Sequence, residues 1–143
     1  MPLLVDGDNL LGTWSGRKRS NAERHRLATE LPRQVGGRKK LVVVFDGTPA
    51  PGLHFGAHVR FSGAGRKGDE VILELLRAQQ DRRGWIVVTS DRSLGDQCRW
   101  LGARVERCDL FRRRLRDHVS AEKPDHEEDV AFWLEEFGEG PDE

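Results

Sequence analysis

No stretch of this 143-residue chain reaches the roughly 18 apolar residues that would cross a bilayer, and no secretory leader pattern opens it. Neither a membrane span nor export is therefore expected. Cysteine is nearly missing: Cys98 and Cys108 match no metal-ligand spacing and fit core thiols in a reducing cytoplasm. None of the five histidines has a partner at metal-ligand spacing, so they are assigned no role. Internal repeats and low-complexity segments are absent too, and the length suits one core.

Net charge is missing as well, with 24 Lys and Arg against 24 Asp and Glu, but that balance conceals a division. Residues 1–121 carry 23 basic against 14 acidic side chains, whereas residues 122–143 carry one Lys against ten acids. The basic residues cluster as Arg17-Lys18-Arg19, Arg38-Lys39-Lys40, Arg66-Lys67 and Arg112-Arg113-Arg114 with Arg116. Such clusters suit a polyphosphate partner; a solvated, charge-rich surface is the plainer alternative.

What is present is a set of apolar runs that stop on an acid. Leu3–Val5, Leu41–Phe45, His58–Phe61, Trp85–Thr89 and Ala103–Glu106 read as strands. Helices are expected over Ala22–Val35, with Pro32 able to end it early, and over Lys67–Arg82, Ser93–Leu101 and Leu110–His118. Ser93 would cap the third of these in a box with Asp96. Strands alternating with helices predict an α/β fold with a mainly parallel sheet. Residues 1–121 form the expected domain. Beyond it, Asp125 can cap an acidic amphipathic helix with Val130, Trp133, Leu134 and Phe137 on one face. That helix would dock on the body as a lid or shield its basic surface. Deleting residues 122–143 and measuring nucleic-acid affinity separates the two.

In a βα sheet, the residue after each strand's carboxyl end lies on the ligand-binding edge. Asp6, Asp46, Asp69, Asp91 and Asp96 can therefore meet at one rim. Gathered carboxylates repel unless a cation sits among them, and all-oxygen ligands suit Mg²⁺ or Mn²⁺. Gly7 would permit a tight turn that frees Asp6, and Asn9 would orient Asp6 or a water. Each acid also has a duller use, as a turn former, a helix cap or, for Asp69 and Glu70, compensation of a helix dipole. Two other patterns compete. Gly63 to Gly68 matches G-x-G-x-x-G, but an acidic pair follows where a pyrophosphate would sit. Asp6-Gly7-Asp8 resembles the opening of haloacid-dehalogenase phosphatases, without their usual Gly-Thr continuation.

Taken together, VDGDNLLG, VVVFDG, VRFSGAGRKGDEVILELL and VVTSDRSLGDQCRWLGARV resemble the NYN branch of the PIN-like nucleases, most nearly the bacterial YacP-like group. The resemblance spans roughly residues 3–118 and implies a Rossmann-like α/β fold with clustered acids that bind Mg²⁺ or Mn²⁺ and hydrolyse RNA. It carries the acids over to Asp6, Asp69 and Asp91, with Asp96 supporting; the residues' own places add Asp46 as a further metal position and Asn9, Glu70 and Ser90 in support. Lys67-Gly68 stands where the family often has Thr-Ala. The implied activity is an endoribonuclease leaving a 5′-phosphate and a 3′-hydroxyl. Arg66, Lys67 and Arg92 would hold a single-stranded RNA backbone, and Trp14 would stack a base. Core packing is expected of Trp85 and Trp100. An RNA-binding protein with an idle site, or a phosphatase using Asp6, remain the rival expectations.

Overall fold

A computed structural model describes residues 1–36 and 40–120. The acidic helix expected over 125–137 and residues 37–39 lie outside them. Five strands form one sheet: β1 (Leu3–Asp6), β2 (Leu41–Phe45), β3 (Val59–Phe61), β4 (Ile86–Val88) and β5 (Arg104–Glu106). They lie in the order β3-β2-β1-β4-β5, and every neighbouring pair is parallel. Central β1 aligns Leu3 with Leu41 on one side and with Ile86 on the other. A strand covered on both faces needs apolar side chains at every position, which explains why β2 is buried from Leu41 to Phe45.

Alternate residues of these strands feed two separate cores. Leu3, Val5, Val43, Phe45 and Val88 face helices α1 (Gly7–Gly12), α2 (Asn21–Gln34) and α5 (Cys108–Ser120). Leu4, Val42, Val44 and Val87 face α3 (Gly68–Arg77) and α4 (Arg92–Trp100). The result is a three-layer α/β/α arrangement. Among the described residues no helix is long and apolar enough to cross a membrane.

Four local expectations need correction. Helix α3 stops at Arg77, five residues short of Arg82, and a 3₁₀ turn (Arg82–Gly84) leads into β4. Gly7 makes no turn: it is the first residue of the unforeseen α1, and a Cβ there would collide with the Phe45 ring. Its glycine is required by close packing. The cap of α4 is Asp91, whose carboxylate accepts the Leu94 N–H at 3.1 Å. The helix begins two residues earlier than a Ser93 cap allows, so that box does not form.

Pro32 does not end α2 but lies inside it. Proline lacks the N–H that would bond the carbonyl four residues back, which is that of Ala28. His58, just before β3, donates from Nε2 to the Ala28 carbonyl at 2.8 Å and replaces the missing donor. A carbonyl can only accept, so that bond requires a hydrogen on Nε2. Replacing His58 by Phe orphans a part-buried carbonyl and is expected to cost about 1–3 kcal/mol, read as a lower urea midpoint. An unchanged midpoint would mean that water supplies the donor equally well.

Candidate functional site

The sheet order reverses between β1 and β4: from β1 the chain builds outward through β2 and β3, then returns to lay β4 on the other side. Loops diverge at such a switch point and leave a crevice beyond the carboxyl ends of the strands. Asp6 ends β1, and Thr89-Ser90-Asp91 follow β4. Thr89, almost fully buried, donates from Oγ1 to Asp6 Oδ2 at 2.9 Å and accepts the Asp91 N–H at 3.1 Å. One hydroxyl thus sets both acids. Asn9 Oδ1 accepts the Ser90 N–H at 2.7 Å, and Ser90 Oγ accepts the Cys108 N–H at 2.9 Å. Asn9 and Ser90 therefore tie α1, the β4 loop and α5 into one frame.

The opposite wall is built from a second chain of contacts. Asp8 is only 4% exposed. Arg24 of α2 grips both its oxygens, at 2.8 and 2.9 Å, and its Oδ2 also accepts the Asp46 N–H at 2.8 Å. Asp46 Oδ1 in turn accepts the Gly68 N–H at 2.5 Å. That bond docks the start of α3 and places Asp69 next to the crevice. A Cβ on Gly68 would lie 2.9 Å from Asp46 Oδ1, so the close approach favours glycine there. Asp46 also occupies the Gly68 N–H, the amide that the last glycine of G-x-G-x-x-G would offer a pyrophosphate.

Asp6, Asp8, Asn9, Arg19, Asp46, Lys67, Asp69 and Asp91 together line one cleft of about 240 Å³. Burial pushes the Asp6 carboxyl up from 3.8 to about 6, and the charges of Asp46 and Asp8 add to the rise. Hydrogen bonds from Thr89 and the Asn9 backbone oppose it without cancelling it. Asp69 Oδ1 is buried with no hydrogen-bond partner. A buried carboxylate oxygen with no donor, in a cleft where burial and neighbouring acids disfavour the charged form of Asp6, fits a site whose negative charge a cation would offset. Donors occupy both oxygens of Asp8 but only one oxygen each of Asp6, Asp46 and Asp91, so Asp6, Asp46, Asp69 and Asp91 each keep an oxygen that could take Mg²⁺ or Mn²⁺. Among the described residues no three candidate ligands are yet drawn to a common point, so ligation requires these side chains to close on the ion. Both oxygens of Asp8 are engaged, which also denies it the general-acid role of a D-x-D phosphatase.

The remaining expected residues are dispersed. Asp96 is exposed, pairs with Arg99 at 3.3 Å and lines a neighbouring cleft together with Arg92 and Ser90. Glu70, on the first turn of α3, and Arg66, in the loop just before it, face solvent and pair with each other, and Arg66 also binds Glu74. Lys67 does reach the acidic cleft. Trp14 packs partly on the core, with the Arg17 and Arg112 guanidiniums 4.6 and 5.9 Å from its ring. Trp85 is buried as expected, but Trp100 is 87% exposed, contrary to the core role expected of it.

Asp8, Arg19, Arg24 and Thr89 were missed as site residues. The D-x-D spacing marked Asp8 only for the rival phosphatase reading, and Thr89 stands two residues before Asp91. Nothing local marks Arg24. Cys98 and Cys108 are buried free thiols; burial pushes Cys98 up to about 12 and raises Cys108 as well. Both should stay unmodified by maleimide at pH 8 in the native protein and react only in denaturant. Rapid native labelling would show an opening of the α4 or α5 face.

A family model described as the YacP-like NYN domain matches residues 3–131, reaching past residue 121. Among solved structures, the crystal structure of Rae1 (YacP) from Bacillus subtilis is 23% identical with a TM-score of 0.63, covering 98% of this chain and 95% of that one. A tryptophan-to-leucine mutant of the same protein is 23% identical with a TM-score of 0.64, over 91% of this chain and 90% of that one. No curated protein matches significantly.

Proposed function

This chain belongs to the YacP-like NYN domain family, an RNA-related, nuclease-type domain, and on that premise we propose that it is a metal-dependent endoribonuclease. One observation carries the reading. Asp6, Asp69 and Asp91 arrive from three distant segments at one cleft on the switch point of the sheet, and one of them presents an unpaired buried oxygen. These three acids would hold Mg²⁺ or Mn²⁺. When bound, such an ion polarises a phosphate and lowers the pKa of a bound water.

The chain's own groups supply the rest. Thr89 holds Asp6, and the backbone of α4 holds one oxygen of Asp91, leaving the other to face the cleft. Lys67 and Arg19 stand at the rim, where they attract the negatively charged backbone and offset the carboxylates around the scissile phosphate. Single-stranded RNA suits a cleft this small. The expected products are a 5′-phosphate and a 3′-hydroxyl.

Asp91→Asn offers a clean test, because Asn caps a helix as well as Asp does. Labelled single-stranded RNA would be incubated with wild type and variant in Mn²⁺, Mg²⁺ or EDTA. Cleavage should require the ion and fall by at least about 100-fold in the variant, with RNA affinity unchanged or higher. A variant that cleaves at the wild-type rate places the chemistry elsewhere. Binding without any cleavage by wild type would favour the idle-site reading.

A further inference from the structure

Asp91 lines two clefts, not one. On its far side a larger cavity of about 580 Å³ opens between α4 and β5. Arg92 and Arg99 of α4 and Arg107, just past β5, line it, and Val105 and Gly95 also contribute to the lining. Asp96 lines it too, but is paired with Arg99 at 3.3 Å. Arg107 pairs with Asp109 at 3.4 Å. Each of these ion pairs is exposed, and exposed pairs contribute little, so a phosphate can replace the carboxylate at small cost. Arg92 makes no ion pair among the described residues.

Gly95 supplies an independent observation. It sits inside α4, where glycine costs about 1 kcal/mol relative to alanine. Its backbone does not demand glycine: its φ is not positive, and a Cβ would meet Val105 Cγ1 at 3.5 Å and Arg99 Nη1 at 3.7 Å, ordinary contacts. What a larger side chain would consume is the floor of this cavity.

We propose that this cavity is the path of the RNA strand beside the scissile phosphate, with Arg92, Arg99 and Arg107 holding successive phosphates and Val105 supporting a sugar or base. The inference rests on the nuclease reading of the acidic cleft and adds the side on which the substrate extends. A single strand is the form that fits. Duplex RNA is recognised across successive grooves, over a span far longer than the few residues of α4 and β5 that form these walls.

Anisotropy of a labelled single-stranded dodecanucleotide RNA in EDTA measures binding apart from turnover. The double variant Arg92→Ala/Arg107→Ala should bind at least about tenfold more weakly and lower the slope of log K against log salt by roughly 1.4, about 0.7 for each phosphate contact. Gly95→Met should weaken binding severalfold while leaving that slope unchanged, because it removes space and not charge. Equal affinity and slope in wild type and both variants would overturn the proposal. So would competition by polyglutamate as effective as by unlabelled RNA, since the cavity would then be a dock for acidic protein. Failure of the nuclease reading looks different: wild type would cleave nothing in Mn²⁺, while the arginine variant would still lose RNA affinity.

Discussion

Asp6→Asn is expected to abolish RNA cleavage and, in metal-free buffer at pH 7, to make the folded protein more stable. The carboxyl of Asp6 titrates at about 6 in the fold against 3.8 in a model peptide, chiefly because the fold buries it. A raised folded value means that the protonated form suits the fold. Its contribution is therefore fully present below about pH 3.8 and is lost as pH rises through about 6. Above that range the native state carries a half-buried carboxylate at a cost of about 1–3 kcal/mol, the upper figure being the full difference between the two values. Asparagine carries no charge and can still accept the Thr89 hydroxyl. Thermal unfolding of the two proteins should nearly coincide near pH 4 and diverge above pH 6, the variant melting roughly 3–10 °C higher. Adding Mg²⁺ should raise the wild-type midpoint and leave the variant's nearly unmoved, since an ion stabilises only the state that binds it. Parallel pH profiles would show that Asp6 is solvated as an ordinary surface acid.

Arg24→Leu should have the largest effect on stability, about 3–5 kcal/mol. Asp8 is buried, and both its oxygens depend on that guanidinium; without it a charged group is left with the Asp46 N–H alone. The loss should also spread. Asp8 positions Asp46, Asp46 positions Gly68, and Gly68 precedes Asp69. The expected result in urea is a large fall in midpoint, and cleavage should weaken even where the variant remains folded. Asp8→Asn in the Arg24→Leu background should recover much of the loss, because removing both charges leaves neither stranded. Purely additive effects would mean that the pair is solvated and carries no coupling.

The strands and the acids that end them were legible because a parallel strand buried on both faces must be apolar throughout, and its end must turn toward solvent. Leu41–Phe45 followed by Asp46 is such a pattern. The roles of Asp8, Arg24 and Gly7 were not legible for a common reason: they depend on residues far off in sequence. The partner of Asp8 is sixteen residues away, and the ring that excludes a side chain at Gly7 belongs to β2. Trp100 misled through residue type. The buried stripe of α4 runs through Leu94 and Cys98, and position 100 lies about 200° around the helix from Cys98, facing solvent. Angular position, not hydrophobicity, decides burial there. Asp91, expected at the rim, does line the cleft, and it also serves as the α4 cap that Ser93 was expected to provide.

The central claim is that Asp6, Asp69 and Asp91 share one divalent ion at the switch point of the sheet. Anomalous diffraction from crystals soaked in Mn²⁺ tests it most directly. The account predicts a single strong peak with carboxylate oxygens of all three residues at about 2.0–2.3 Å, lost in Asp69→Asn crystals. Manganese bound elsewhere, or a site that survives loss of the Asp69 carboxylate unchanged, would contradict it.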